Sequence, residues 1–348
     1  MTTPKASKKP GLTVAVTGPT GSIGRAFVRL LDRTPEVTRV LGMARRAFDP
    51  KRMGLTKLEY RRGDVLKRAS VDELVEEADV VVHLAFLIMG SEDETQEINM
   101  TGSRNVFESA FAANLKRLVY TSSVAAYGFH KDNPEWLTEK MHPRGSDNHY
   151  YSRQKAQLEE MLDNLARYSD TGVYVFRPCI VAGPDATDLI EQIPLVRSGD
   201  KVPGALRKLG GAIPMLRPVI PDPGIPFQLV HEDDVASALV SGVLGSGPPG
   251  TYNLAADGEM TLTDLAHALG WYAIPIPELA VETTARIVSK LPYMPAKASW
   301  VNALRVPVLM DTTKVKKDLG WVPDHSCMET LADTIESARS KGLLSRPS

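Results

Sequence analysis

The chain has 348 residues, enough for one large domain or two smaller ones, and its 43% hydrophobic and 24% charged residues are ordinary globular values. A net charge of -1 gives no support for a nucleic-acid partner or an anionic membrane surface. Two cysteines are too few for a disulfide framework or a multi-cysteine metal site, which favours a reducing, cytoplasmic location.

The amino-terminal residues 1–10 are polar and basic and lack the apolar stretch of a secretory signal, so we predict a disordered tail. The most apolar run, residues 80–89, is too short to span a bilayer. It is typical of a buried parallel strand, and we interpret its histidine, His83, as a packed core residue rather than a ligand. No membrane partner is therefore expected.

The first half of the chain alternates short apolar runs with helical patterns, which predicts strand–helix–strand units and a parallel sheet. Strands are predicted at residues 12–17, 39–43, 58–62, 80–84, 117–121 and 172–176. Helices are predicted at residues 22–32, 70–77, 95–113 and 150–168. Ser70 and Glu73 have the spacing of a capping box at the start of the second helix.

After Pro178 the chain becomes rich in proline and glycine, and residues 183–226 are typical of a lid or a substrate-binding insertion. A returning strand at 227–230 and a helix at 233–243, capped by Asp233 and Asp234, are predicted next. Trp321 and Tyr252 are interpreted as packing residues.

The fold class predicted is α/β: a Rossmann-type doubly wound parallel sheet with a smaller C-terminal α/β substrate-binding domain. The nucleotide-binding domain is assigned to residues 11–182 and 227–250. The substrate-binding domain and lid are assigned to residues 183–226 and 251–335, and a C-terminal tail to 336–348.

Three glycines, Gly18, Gly21 and Gly24, lie between the first predicted strand and the first predicted helix. In that position glycines permit a tight turn and let backbone N–H groups approach a pyrophosphate at the helix N-terminus. The spacing differs by one residue from the G-x-G-x-x-G form. The alternative is a strand–turn–helix whose glycines serve the backbone alone.

The cofactor's 2′ position is recognised about 20 residues beyond such glycines, where an acidic residue would bind a ribose diol. Here Ala44 is followed by Arg45 and Arg46, and two guanidinium groups fit a 2′-phosphate better than a diol. We therefore predict NADP in preference to NAD. Because Lys51 and Arg52 continue the basic run, a merely solvated loop is the alternative.

Tyr151 and Lys155 are four residues apart on a predicted helix, so both can approach one small molecule. A phenol normally keeps its proton to a pH of about 10, and a neighbouring cation lowers its pKa. Tyr151 could then serve as an acid or base near neutral pH. Ser122 and Ser123 follow the predicted strand at 117–121; their alternative interpretation is a polar strand end.

In their order along the chain, these motifs resemble the extended short-chain dehydrogenase/reductase family, the group of nucleotide-sugar epimerases and dehydratases. The resemblance covers most of the chain and rests on the motifs at residues 17–24, 63–64, 82–85, 99–105, 120–128, 151–155, 177–184, 230–234, 252–254 and 319–323.

The resemblance implies a role for each matching residue. Tyr151 corresponds to the catalytic acid/base, Lys155 to the lysine that binds the nicotinamide ribose, and Ser123, rather than Ser122, to the catalytic hydroxyl. The implied cofactor-binding residues are Gly18, Thr20, Gly21, Ser22, Ile23 and Gly24 around the phosphates, Arg45 and Arg46, Asp64 and Val65 at the adenine, Leu84 and Ala85 along the middle, Tyr151 and Lys155, and Pro178 and Val181 at the nicotinamide. A homodimer through the helices at 95–113 and 150–168 is also implied.

The two residues after the serine pair narrow the reaction subtype. Sugar 4,6-dehydratases of the family carry an Asp-Glu pair there, whereas Val124 and Ala125 occupy those places. Epimerases of the family usually retain NAD, and Arg45 and Arg46 argue against NAD. The lid segments 213–216, 219–221 and 225–227 are apolar.

We therefore expect an NADP-dependent alcohol/carbonyl oxidoreductase acting on a small molecule. A nucleoside-diphosphate-sugar epimerase is the first alternative, and a non-catalytic cofactor-binding redox sensor is the second. No metal is expected, because His142, His149 and His231 lack metal-ligand spacing.

Overall fold

A computed structural model describes residues 11–88, 91–191, 219–276 and 306–344. The predicted amino-terminal tail, most of the predicted lid and its apolar segment 213–216 lie outside the described residues.

The strands, numbered in chain order, are β1 (Leu12–Thr17), β2 (Val37–Ala44), β3 (Leu58–Arg62), β4 (Val80–His83), β5 (Arg117–Thr121), β6 (Trp136–Leu137), β7 (Gly172–Pro178), β8 (Ile180–Ala182), β9 (Val219–Asp222), β10 (Leu229–His231), β11 (Gly250–Leu254), β12 (Tyr272–Pro275) and β13 (Leu309–Met310). The helices are α1 (Ser22–Arg33), α2 (Arg68–Glu76), α3 (Glu92–Gln96), α4 (Gly102–Ala112), α5 (Tyr150–Ala166), α6 (Asp188–Glu191), α7 (Glu232–Leu244), α8 (Leu262–Leu269), α9 (Thr313–Leu319) and α10 (Cys327–Ser340).

Seven strands form one sheet in the order β3-β2-β1-β4-β5-β7-β11. Strands β3, β2, β1, β4 and β5 pair in parallel. Their apolar runs, such as Val14–Val16 and Val80–Val82, are fully buried, as expected for strands covered on both faces. The strand order reverses between β1 and β4, where doubly wound sheets bind nucleotides beyond the carboxyl ends of the strands. The predicted Rossmann-type sheet is confirmed.

Three details of the predicted helices are wrong. Helix α2 begins at Arg68 after Lys67, so Ser70 lies inside its first turn and does not cap it. The predicted helix at 95–113 consists of α3, a π-helical turn (Glu97–Thr101) and α4. Helix α7 begins at Glu232, which places Asp233 and Asp234 within its first turn.

The two aromatic residues interpreted as packing residues are both buried. Trp321 is 4% exposed, and its indole Nε1 donates to the Asp234 carbonyl and the Ser237 hydroxyl. Tyr252 is fully buried. Helix α10 continues through Ser340, inside the segment predicted as a tail.

The chain divides into two compact units. Of the described residues, the first unit contains those in 11–120, 161–174 and 239–250, and the second contains those in 121–191, 219–238, 251–276 and 306–344 that are outside the first. The core of the second unit includes Phe227, Leu229, Leu265, Leu331 and Ile335. The predicted assignment of residues 11–182 and 227–250 to the nucleotide-binding domain stays a prediction.

None of the helices in the described ranges is long and apolar enough to cross a membrane.

Candidate active site

The glycine loop after β1 is packed too closely for side chains at two of its three glycines. Gly18 has a φ of +79°, and a Cβ there would lie 2.7 Å from the Ala85 nitrogen. A Cβ on Gly24 would lie 2.2 Å from the Gly18 carbonyl oxygen. At Gly21, the N-cap of α1, a Cβ would meet only that carbonyl oxygen, at 3.7 Å. The N-terminus of α1 therefore has open space in front of it, where an anion can approach the backbone N–H groups.

A cleft with a volume of about 260 Å³ opens beside this loop. Its lining comprises Gly18, Thr20, Gly21, Met43, Ala44, Arg45, Arg46, Gly63, Val65, Leu84, Ala85, Phe86, Leu87 and Ile98. Both arginines, Val65, Leu84 and Ala85 were expected at a cofactor. Met43, Phe86, Leu87 and Ile98 were missed, because they are apolar residues without a distinguishing sequence motif.

Strand β3 fixes the backbone that carries the two arginines. The Tyr60 hydroxyl lies 2.9 Å from the Ala44 carbonyl oxygen and also contacts the Arg46 carbonyl, while Arg62 Nε donates to the Arg45 carbonyl at 3.0 Å. The side chains of Arg45 and Arg46 are exposed, and neither forms an ion pair within the described ranges. Their charges are available to a ligand in the cleft.

Two asparagines fix the backbone of two other residues that line the cleft, Leu87 and Val65. Asn99 exchanges two hydrogen bonds with the Leu87 backbone, at 2.8 and 2.9 Å, and Asn105 Nδ2 donates to the Val65 carbonyl at 2.8 Å. Asp64 lies between two lining residues and accepts a hydrogen bond from the Leu66 N–H at 3.1 Å. The other three residues of the glycine motif, Ser22, Ile23 and Gly24, belong to the first turn of α1.

His83 is a core residue, as expected. Its Nδ1 lies 2.7 Å from the Thr17 hydroxyl and its Nε2 lies 2.8 Å from the Ser103 hydroxyl. The Thr17 hydroxyl in turn accepts a hydrogen bond from the Ala85 N–H at 3.4 Å. These contacts connect the carboxyl ends of β1 and β4 to α4.

The second unit brings together the three residues proposed for catalysis. The side chains of Tyr151 and Ser123 are hydrogen-bonded, and Lys155 Nζ lies 5.9 Å from the centroid of the Tyr151 ring. Lys155, which is 2% exposed, also donates from Nζ to the Thr121 carbonyl at 2.8 Å. Ser123 caps a short 3₁₀ helix (Val124–Tyr127) by accepting from the Ala125 N–H at 3.2 Å.

Burial shifts the two titrating groups away from their ionised forms. It raises the pKa of Tyr151, which the hydrogen bond from Ser123 only partly offsets. Burial also lowers the pKa of Lys155 to about 7, against the attraction of the Glu159 carboxylate. The direction for Tyr151 is opposite to the one expected from the sequence, because the phenol is desolvated and a lysine with this pKa is only partly charged at neutral pH.

Residues 14–255 match the family described as the NAD dependent epimerase/dehydratase family. The chain belongs to this family. The predicted resemblance to extended short-chain dehydrogenases/reductases is thereby confirmed, and the chain is a nicotinamide-nucleotide-dependent enzyme of that type.

Among its relatives, the uncharacterized protein y4nG of Sinorhizobium fredii is 26% identical over 92% of this chain and 77% of that protein. Sterol demethylase protein B of Methylococcus capsulatus is 29% identical over 50% of this chain and 52% of that protein. A solved structure, UDP-glucuronic acid 4-epimerase from Bacillus cereus in complex with NAD, covers 94% of this chain and 99% of its own, with a TM-score of 0.71 and 15% identity. At that identity the likeness concerns the fold.

Two residues of the family motif around 177–184 were expected at the nicotinamide. Pro178 is buried at the end of β7, and Val181 is half-buried in β8, where it pairs with Val230 of β10. The role of both residues at the nicotinamide stays a prediction.

A buried charge pair beside the residues proposed for catalysis was missed. Glu159 lies on α5, is 4% exposed and receives hydrogen bonds from the Ser122 hydroxyl and the Arg177 guanidinium. That guanidinium also lies 4.5 Å from the centroid of the Tyr127 ring. The signal in the sequence was the spacing, because Glu159 stands four residues after Lys155 on the same helix.

The fold also gathers His231, His325 and Asp333, whose nearest ligand atoms lie within 4.8 Å of one another. The two rings stack with centroids 3.9 Å apart and an 18° angle between planes, so their in-plane lone pairs run side by side instead of converging. His231 Nδ1 accepts the Asp233 N–H at 3.1 Å, which puts the neutral ring's proton on Nε2. This arrangement does not suit a metal ion.

Proposed function

We propose that this family member reduces a carbonyl group, or oxidises the corresponding alcohol, by hydride exchange with NADP(H). The observation that carries the proposal is the grouping of Tyr151, Ser123 and Lys155 at the start of α5. Hydride transfer to a carbonyl leaves charge on the oxygen, so a proton must be delivered with it.

Tyr151 is the proposed proton donor. Because burial raises its pKa, the phenol is protonated at neutral pH and ready to act as an acid in the reductive direction. Ser123, already hydrogen-bonded to the phenol, is suited to bind the same substrate oxygen. When bound, the reduced nicotinamide supplies the hydride, and the overall change is carbonyl, NADPH and a proton to alcohol and NADP⁺.

The preference for NADP rests on Arg45 and Arg46. Both line the cleft beside the glycine loop, and no acidic residue is among the lining residues. Two guanidinium groups bind a phosphate dianion by charge-assisted, often bidentate hydrogen bonds. Asp64 is proposed to bind the adenine amino group, and Lys155 the nicotinamide ribose.

The substrate class is proposed to be an apolar carbonyl compound rather than a sugar nucleotide. One relative is named for sterol demethylation, and the described part of the predicted lid contains apolar residues such as Val219 and Ile220. Dehydration is disfavoured, because Val124 and Ala125, which follow Ser123, are buried and cannot ionise.

Epimerisation of a nucleoside-diphosphate sugar remains the alternative, which the family description and structures such as the Bacillus cereus epimerase favour. A redox sensor that binds the cofactor without turnover is the other alternative.

One set of measurements separates these functions. NADPH and NADH are titrated against the protein by thermal melting, and NADPH consumption is then followed with a panel of steroid and simple cyclic ketones. Ketone-dependent NADPH oxidation supports the proposal. Interconversion of UDP-glucose and UDP-galactose without net NADPH consumption would replace it with epimerisation. NADPH binding with neither reaction would favour the sensor, and no binding of either nucleotide would exclude all three.

A further inference from the structure

Three side chains on one face of α5 contact three consecutive residues, of which the first is the last residue of β5. Tyr151, Lys155 and Glu159 are spaced by four, so they lie along one face of the helix. Tyr151 is hydrogen-bonded to Ser123, Lys155 to the Thr121 carbonyl, and Glu159 to the Ser122 hydroxyl. Each residue of the segment 121–123 is thus bound to a side chain of the helix.

Glu159 makes the most contacts of the three. Its Oε1 accepts from the Ser122 hydroxyl, and Arg177 Nε lies 3.0 Å from Oε1 and 3.1 Å from Oε2. Arg177 Nη2 completes a two-pronged contact with Oε2. With 3% and 4% exposure, the two side chains form a buried ion pair, in which Arg177 Nη1 has no hydrogen-bond partner among the described residues.

Ser122 is fixed at both its backbone and its side chain. Its N–H donates to the Phe176 carbonyl at 2.7 Å, and its hydroxyl donates to Glu159. Ser123 follows directly, so the position of Ser122, together with the hydrogen bond from the Ala125 N–H, fixes the place of the Ser123 hydroxyl. A shift of the Ser122 side chain would therefore reach the hydrogen bond between Ser123 and Tyr151.

We propose that Glu159 is a positioning residue of the active site, which directs Ser123 to Tyr151 through Ser122 and stabilises cationic Lys155 from one helical turn away. The proposal rests on the proposed roles of Tyr151, Ser123 and Lys155. It goes beyond them because one carboxylate, which does not touch the substrate, then controls both the position of Ser123 and the charge of Lys155.

The groups around Lys155 define what its charge responds to. Tyr151 and Glu159 face it from α5, the Thr121 carbonyl faces it from the end of β5, and the Arg177 cation lies behind Glu159 on β7. Among these groups Glu159 is the one whose charge favours protonated Lys155, in opposition to burial. If the Arg177 cation cancelled the charge of Glu159 at Lys155, the ion pair would leave the titration of Lys155 unaffected.

The test uses the full-length protein and requires no turnover. The Nζ resonance of Lys155 is followed by NMR from pH 5 to pH 10 in ¹⁵N-lysine protein, and it is assigned by its absence in Lys155→Met. In Glu159→Gln we expect the midpoint to fall below about 7 by roughly one unit, because an attractive charge has been removed. The matched control is Glu160→Gln, the exposed next residue on α5, which should leave the midpoint in place.

A second variant covers the case that Glu159→Gln does not fold because Arg177 loses its partner. Ser122→Ala keeps both buried charges and removes only the Ser122 hydroxyl. We expect the ¹³Cζ titration midpoint of Tyr151, assigned with Tyr151→Phe, to rise, because the hydrogen bond from Ser123 that lowers its pKa is loosened.

An unchanged Lys155 midpoint in folded Glu159→Gln would overturn the proposal, and so would an unchanged Tyr151 midpoint in Ser122→Ala. Because both midpoints are measured on the free protein, they stand whether or not ketone reduction is observed. A failure of the proposed function is therefore distinguishable from a failure of this inference.

Discussion

Burial shifts the pKa values of the neighbouring Tyr151 and Lys155 in opposite directions. Desolvation disfavours the phenolate and the ammonium alike, so the pKa of Tyr151 rises while that of Lys155 falls to about 7. The pair is therefore closer to neutral than either residue would be in water. Among the described groups around this pair, the Glu159 carboxylate is the one whose charge favours protonated Lys155.

Replacing Tyr151 with phenylalanine removes the proposed proton donor and little else. We expect Tyr151→Phe to lower kcat for the ketone probe by at least about 100-fold, since general acid catalysis contributes factors of this size. NADPH affinity, measured by thermal shift, should change little. Tyr150→Phe, one position earlier on α5, is the matched control and should stay active. Full activity in Tyr151→Phe would refute the assigned acid.

Cofactor choice is also a single-residue property. In Arg45→Asp we expect the ratio of the NADH and NADPH dissociation constants to shift by about tenfold to a hundredfold toward NADH, because charge-assisted hydrogen bonds are lost and a like charge is introduced. The exposed Arg52 belongs to the same basic run but not to the cleft lining, so Arg52→Asp is the control. An unaltered ratio in Arg45→Asp would argue against 2′-phosphate binding.

At the scale of elements, the sequence predicted strands better than helix interruptions. Three strands, at 12–17, 58–62 and 117–121, have the predicted bounds, because β-branched or alternating runs end abruptly in polar residues or glycine. The π-helical turn at Glu97–Thr101 could not be predicted. It places Asn99 against the Leu87 backbone, a long-range contact that local pattern does not encode.

The same limit explains Ser70 and Asp234. Each has a residue type that favours helix caps, yet α2 starts two residues before Ser70, and Asp234 instead accepts hydrogen bonds from the backbone of Asp324 and His325. A partner 90 positions away along the chain outweighed a local preference.

Helix α5 carries a lysine whose burial should make stability depend on pH. The pKa of Lys155 is about 10.4 in the unfolded chain and about 7 in the folded protein. Between these values the unfolded chain binds a proton that the folded chain lacks, so the free energy of unfolding rises with pH, by at most about 1.4 kcal/mol per unit. Below pH 7 the destabilisation is fully present.

We therefore expect Lys155→Met to gain stability over the parent protein at pH 6, and to lose that advantage progressively by pH 10. Urea unfolding at pH 6, 8 and 10 measures the difference. Lys317→Met, at an exposed lysine, should show a pH-independent difference from the parent. A constant difference for Lys155→Met as well would contradict the depressed pKa.

At the scale of the molecule, the order of motifs was enough to predict the family, because a parallel sheet brings the ends of β1, β2 and β4 to one edge. Sequence spacing therefore located the glycine loop, Arg45 and Leu84 in one cleft. It could not locate Glu159–Arg177 or His231–His325, whose members meet only through tertiary packing. The homodimer through α4 and α5 stays a prediction.

The reactivity of the two cysteine thiols can be compared with the reducing location expected from the sequence. Cys179 and Cys327 are both free and buried, and burial raises the pKa of each thiol, which leaves little reactive thiolate. We expect the native protein to react slowly with an aromatic disulfide reagent, and both thiols to react rapidly in urea. NADPH affinity should be equal with and without reductant. Rapid reaction of the native protein would show that one thiol is accessible.

The hydrogen bonds that run from Ala85 through Thr17 and His83 to Ser103 have a thermodynamic consequence for ligand binding. They join the tips of β1 and β4 on either side of the strand-order reversal, so that edge is assembled when the first unit folds. The conformational entropy of this edge is lost on folding and not on nucleotide binding. Less of the favourable contact free energy is therefore offset when the nucleotide binds, and the affinity is higher. His83→Leu should therefore weaken NADPH through a less favourable binding entropy measured by calorimetry, although the imidazole is buried beneath the cleft and outside its lining.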